Sequence, residues 1–213
     1  MTHTLHRRGS LEELQKDYLI FATGAIGINR EGAGPKLARV LQIMLGHNPV
    51  IYGNIFGGNT LTASADHILE RMQQGATGVI AVFNNEEAIT DILRELKERD
   101  FGLCIIVSGL FDHVHECCRD AGLEPHTVNI SGGILGKLEK LPSDPILEVN
   151  TLCGHGLVSF NLIKKKVEEI RAKRTTAVDA AKTMARNCHC GMFNWERAAR
   201  ILSHLASEER PTS

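Results

Sequence analysis

The sequence predicts a layered α/β fold, an open and mainly parallel sheet of the Rossmann-like or flavodoxin-like kind with a helical C-terminal extension. Two observations carry this expectation. Through the first two thirds of the chain, short apolar runs bounded by Gly, Asn or Pro alternate with amphipathic segments, as strands and crossover helices do in a parallel sheet. After Gly132 the strand-like runs thin out and segments with helix-capping signals take over.

In chain order, the runs 18–23, 50–55, 79–83, 103–107 and 127–130 are apolar, rich in β-branched residues and short enough for buried strands. Helices are predicted between them at 35–45, 63–74, 86–99 and 111–121. The clearest is 86–99, where Ala88, Ile89, Ile92, Leu93 and Leu96 share one face and the charges lie opposite. A Gly, Lys and Pro-rich connector, 133–145, leads to a sixth apolar run at 146–149. Ser159 is placed to cap a helix to about residue 174, Thr176 with Asp179 to form a capping box for a second, and Asn194 to cap a third. The expected organisation is a layered domain over 1–150 and a helical extension over 151–213, with a frayed tail at 207–213.

Composition narrows the function classes. The chain has 213 residues, 43% hydrophobic, which suits one globular domain or one domain with an appendage. With 24 basic against 25 acidic residues there is no polybasic field to draw nucleic-acid phosphates or anionic lipid. Aromatics at 5% are too few for a base-stacking platform. The uncharged stretch 41–65 is interrupted by Gly, Asn and Pro, so no membrane span is expected. The amino-terminal segment with His3, His6, Arg7 and Arg8 lacks the apolar run of a secretory signal. A cytoplasmic location follows as an expectation, and the six cysteines read as thiols, metal ligands or catalytic groups before disulfides.

The strongest chemical signal lies in the last third. Thr151-Leu-Cys153-Gly-His155-Gly-Leu157 and Asn187-Cys188-His189-Cys190-Gly191 are clusters of soft and borderline ligands in Gly-containing turns. A helix of about 16 residues and a return helix of about 12 bring their ends within about 6 Å at 1.5 Å per residue. Cys153, His155, Cys188 and Cys190 are therefore candidate metal ligands, with His155 alternatively an acid/base and His189 in reserve. Three thiolates and an imidazole suit tetrahedral zinc, and three cysteines suit an iron-sulfur cluster with an open iron. The competing readings are buried structural cysteines, which are common, and a metal-free cysteine nucleophile with His155 as base. Cys153 is expected just beyond the strand 146–149 and at a helix amino end, where ligands bind and thiol pKa values fall.

A second cluster, Asp112-His113-Val114-His115-Glu116-Cys117-Cys118, cannot chelate as a unit, because His113 and His115 diverge by about 200° on a helix. It reads as a helix with a cysteine packed inward and its histidines near the surface. Gly24, Gly27, Gly32 and Gly34 follow the first strand; Gly57, Gly58 and Thr60 follow the second. Their amides could cradle a phosphate or carboxylate, although neither turn has a nucleotide-binding spacing and turn chemistry alone explains both. The segment His6-Arg7-Arg8-Gly9 is either an arm that closes over an anion or a solvated terminus.

These readings point to a metal- or iron-sulfur-dependent enzyme acting on a small anionic molecule by lyase- or hydrolase-type chemistry, in which an open coordination position polarises oxygen or activates water. One alternative is a metal-cofactor maturation or transfer protein. The other is a metal-free transferase or nucleotide-binding enzyme using the glycine-rich turns. Nucleic-acid and membrane partners are not expected; self-association is open.

Overall fold

The computed structural model describes residues 4–208. His3 of the basic segment, and 209–213 of the tail expected to fray, lie outside the described residues. The chain divides into two compact units. A sheet unit holds Leu11–Val128 and the short segment His189–Met192; a helical unit takes its described residues from 4–10, 129–188 and 193–208. Among the described residues, no helix is long and apolar enough to cross a membrane.

The sheet unit has five strands, β1 Tyr18–Thr23, β2 Ile51–Asn54, β3 Gly58–Asn59, β4 Gly78–Phe83 and β5 Cys104–Ser108, in the order β3-β2-β4-β1-β5. Each neighbouring pair runs antiparallel, with Tyr18 opposite Phe83, Leu19 opposite Ser108 and Ile51 opposite Val82. The expected parallel sheet is therefore corrected to an antiparallel one. The reason is visible in the strand order. Helix α2 (Gly34–Leu45) joins β1 to β2, and α4 (Glu86–Arg99) joins β4 to β5. In both units the two joined strands point the same way, but an antiparallel strand lies between them: β4 in the first, β1 in the second. These are split β-α-β units. Alternation of strand and helix records the crossover but not what pairs into the gap.

A short α1 (Leu11–Leu14) precedes β1, and α3 (Ala65–Gln73) and α5 (Phe111–Asp120) complete the unit. Tyr18, Ile20 and Ala22 of β1 and Val79, Ala81 and Phe83 of β4 form one core with Leu37, Leu41 and Met44 of α2, Ile68 and Met72 of α3, and Ile89, Ile92 and Leu96 of α4. Full burial of each such large side chain contributes roughly 1.5–3 kcal/mol. The alternate strand residues Leu19, Ile51, Ile80 and Val82 are buried as well. Strands buried on both faces read as continuous apolar runs, which is how parallel strands also read. Helix α4 keeps its predicted bounds: the Asn85 side chain accepts from the Ala88 amide at 2.9 Å, and Asp100 ends the helix in the left-handed region.

The helical unit contains a 3-10 turn, Leu138–Lys140, then α6 (Asp144–Thr151), α7 (Phe160–Arg171), α8 (Ala177–Asn187) and α9 (Trp195–Ser207). All three expected caps form. Ser159 accepts from the Leu162 amide at 3.2 Å, and Asn194 from the Arg197 amide at 3.0 Å. Thr176 accepts from the Asp179 amide at 3.0 Å and donates to its carboxylate at 2.7 Å. Two strand expectations fail here. The run 146–149 lies inside α6, where Pro145 occupies the first turn, a position that needs no amide donor. The run 127–130 forms no strand; Val128 and Ile130 are exposed, and a β-branched run without a pairing edge gains nothing from extension.

Candidate functional site

Cys153 follows α6 and opens a tight loop that α6 itself secures: Asn150 donates through Nδ2 to the Val158 carbonyl at 2.7 Å, and the Gly156 amide donates to the Cys153 carbonyl at 3.1 Å. Gly156 takes φ +69°, which allows the reversal. The loop backbone at His155 and Leu157 acts to lower the Cys153 pKa. Cys188 caps α8, its amide donating to the Ala185 carbonyl, and its thiol is hydrogen-bonded to that of Cys153. Both thiols are almost wholly buried. The antiparallel return of α7 and α8 thus brings together two cysteines far apart in sequence.

The electrostatics pull in two directions. The Cys188 thiol and burial push the Cys153 pKa up, while the loop backbone opposes them. The net effect keeps the Cys153 thiol protonated. His155 is exposed. Cys190 is buried within the sheet unit, beside Gly191. His189 is exposed. Among the described residues, no group of three or more His, Cys, Asp or Glu is placed to hold a metal ion. Cys153 also does not follow a strand, as expected, but a helix.

The glycine-rich turns use many of their amides internally. Gly24 donates to the Thr77 carbonyl, Ala25 to the Asn29 side chain, and Ile28, Asn29 and Arg30 to the Ala25 carbonyl. Gly27 and Gly32 take left-handed φ values in open space, and Gly34 is where α2 meets α3: a Cβ there would lie 2.3 Å from the Met72 carbonyl oxygen. In the second turn the buried Asn54 carboxamide oxygen accepts from the amides of Phe56 at 2.7 Å and Gly57 at 2.8 Å. Gly58 pairs in β3, and Thr60 donates to the Tyr52 carbonyl at 3.0 Å. Both turns are closed mainly by the chain itself.

The sheet unit holds a network that the sequence reading did not find. Tyr18 begins β1, between the ends of β4 and β5. Its buried hydroxyl donates to Glu86 Oε1 at 2.9 Å and lies 2.8 Å from His113 Nδ1; the latter is 2.5 Å from the same carboxylate oxygen. Glu86 and His113 come from the first turns of α4 and α5, which leave the sheet at that end. Beneath them the Cys117 thiol donates to the Glu86 carbonyl at 3.6 Å. Burial, then the Glu86 hydrogen bond and charge, push the Tyr18 pKa well above the ordinary phenol range; burial chiefly raises Cys117. Tyr18 is accordingly a fixed proton donor. The available signal was the shared face of His113 and Cys117, but nothing local pointed to Tyr18.

Compared with protein-family models, with curated proteins and with solved structures, the chain matches none.

Proposed function

We propose that this protein is a thiolate-anchored metal- or iron-sulfur-dependent enzyme acting on a small anionic molecule, with Cys153 and Cys188 as the anchoring pair. The observation that supports the reading is the buried Cys153 thiol, held against the Cys188 thiol in a tight Gly-containing loop. Two adjacent thiolates are a soft-metal donor set. A structural cysteine needs no such partner. The remaining coordination positions fall to inorganic sulfide, water or substrate, which is the open-site arrangement of a Lewis acid.

The second reading, metal-cofactor transfer, draws on the same pair and on the absence of a third protein ligand joining it among the described residues. Two-thiol anchors release metal more readily than closed four-ligand sites.

The test is to purify the protein without oxygen and measure iron, zinc and acid-labile sulfide beside Cys153→Ala and Cys188→Ala. Stoichiometric metal that is lost in both variants supports the proposal. Metal that is present but stripped by mild chelation favours transfer. A metal-free wild type, purified from iron- and zinc-supplemented cells, contradicts both.

A further inference from the structure

The amino-terminal segment is not a loose terminus. Arg197 of α9, completely buried, donates through Nη2 to the Arg8 carbonyl, and Glu148 Oε2 lies 4.0 Å from the same guanidinium. Gly9 makes room for it, since a Cβ there would overlap Arg197 Nη2. Arg8 in turn donates to Asp144 Oδ1 at 2.8 Å. A buried arginine directed at a main-chain carbonyl fixes the backbone of this arm against α6 and α9.

The arm so fixed forms one wall of a cavity of about 430 Å³, inside the range of roughly 300–1,000 Å³ usual for small-molecule sites. All of its lining comes from the helical unit. Arg7 and Arg8 line this wall beside Asp144, whose carboxylate accepts from and orients the Arg8 fork. The opposite side is apolar, with Leu138, Leu141 and Leu147. Leu138 is 53% exposed although a solvated 3-10 turn has no need of a leucine there. Guanidinium forks match carboxylate and phosphate oxygens, and an adjoining apolar floor suits a hydrocarbon tail.

We infer that this cavity is a binding site for an amphipathic anion, a small carboxylate or phosphate monoester carrying an aliphatic tail. The head group lies against Arg7 and Arg8, and the tail lies along Leu138, Leu141 and Leu147. That the bound anion is the substrate rests on the function proposed above; that it binds does not, because no thiol lines the cavity.

The experiment is calorimetric titration of the full chain with octanoate, octyl phosphate, octanol and octylamine, on wild type, Arg8→Gln and Leu138→Asp. Both substitutions are at partly exposed side chains, and circular dichroism checks that the variants are folded. Saturable one-site binding of octanoate or octyl phosphate is expected, at least tenfold weaker in each variant, with octylamine not bound. Whichever of the two anions binds more tightly distinguishes carboxylate from phosphate. Equal binding of octylamine, unchanged affinity in both variants, or no binding of either anion overturns the inference. Metal content measured on the same samples separates this result from the fate of the thiol proposal.

Discussion

The two units each bring ionisable side chains together from distant parts of the sequence, and they balance them differently. At the sheet end, Tyr18, Glu86 and His113 close on one another: a phenol donor, a carboxylate acceptor and an imidazole, within 2.9 Å of their partners. In the helical unit, two buried thiols meet. The first arrangement is satisfied as it stands, and its natural role is to tie β1 to the first turns of α4 and α5. The second is a buried pair in which the Cys188 thiol and burial hold the Cys153 pKa up. The phenol network joins three elements of the sheet unit, and the thiol pair joins the loop after α6 to the end of α8.

If this contrast is right, substitutions in the sheet unit should act on stability and substitutions at the thiols on metal content. The largest effect is expected from Gly191→Ala. A Cβ there would lie 2.5 Å from the Tyr52 carbonyl carbon, at φ +79°. The cost should be at least about 2 kcal/mol, since backbone strain and overpacking each cost roughly 1–3 kcal/mol. Denaturant unfolding would measure it, and an unchanged midpoint would mean that this segment is not packed against β2 in solution. Next comes Asn54→Ala, which leaves the Phe56 and Gly57 amides without their acceptor and should cost about 2 kcal/mol.

Tyr18→Phe should cost about 1 kcal/mol at neutral pH, the usual worth of one hydrogen bond. Its sharper signature is in pH dependence. Tyr18, Cys153, Cys117 and Cys118 all have raised pKa values in the folded protein. Unfolded thiols ionise near pH 8.5 and unfolded phenols near about pH 10; above those values the unfolded chain binds fewer protons than the native one. Stability is therefore fully present below about pH 8 and falls as pH rises, and Tyr18→Phe should fall less steeply above about pH 10. Melting curves across this range check the sign. The smallest stability effect, on the order of 1 kcal/mol, is expected for Cys188→Ala, which deletes one small buried group. Loss of bound metal at so small a cost would sharpen the contrast between the units; a collapse of the fold would erase it.

The sequence made the local parts of this structure legible. The face and bounds of α4, and the caps Ser159, Thr176 and Asn194, are encoded within a few residues of where they act. Strand direction is not so encoded, because insertion of β1 between β4 and β5 is a long-range event that leaves each apolar run unchanged. The run 146–149 is too short for its period to separate strand from helix, and the decisive residue was Pro145 before it. At the candidate site, α8 has 11 residues where the sequence predicts about 12, but α7 has 12 where the sequence predicts about 16, because α7 starts at Phe160 and ends at Arg171. The exposure of His155, the use of the glycine-turn amides by their own chain and the Tyr18 network all depend on how side chains settle in three dimensions. The arm at His6 to Arg8 was visible as charge, but its anchor, Arg197, sits almost the whole chain away.

The central claim, that Cys153 and Cys188 form a metal-binding thiolate pair, is most directly tested by titrating the reduced, metal-free protein with cobalt(II) and following thiolate-to-metal charge-transfer absorption. The account predicts absorption that saturates at a fixed stoichiometry, with release of protons, and that disappears in Cys188→Ala. No charge-transfer band, with every cysteine still reactive toward a thiol reagent in denaturant, would contradict it.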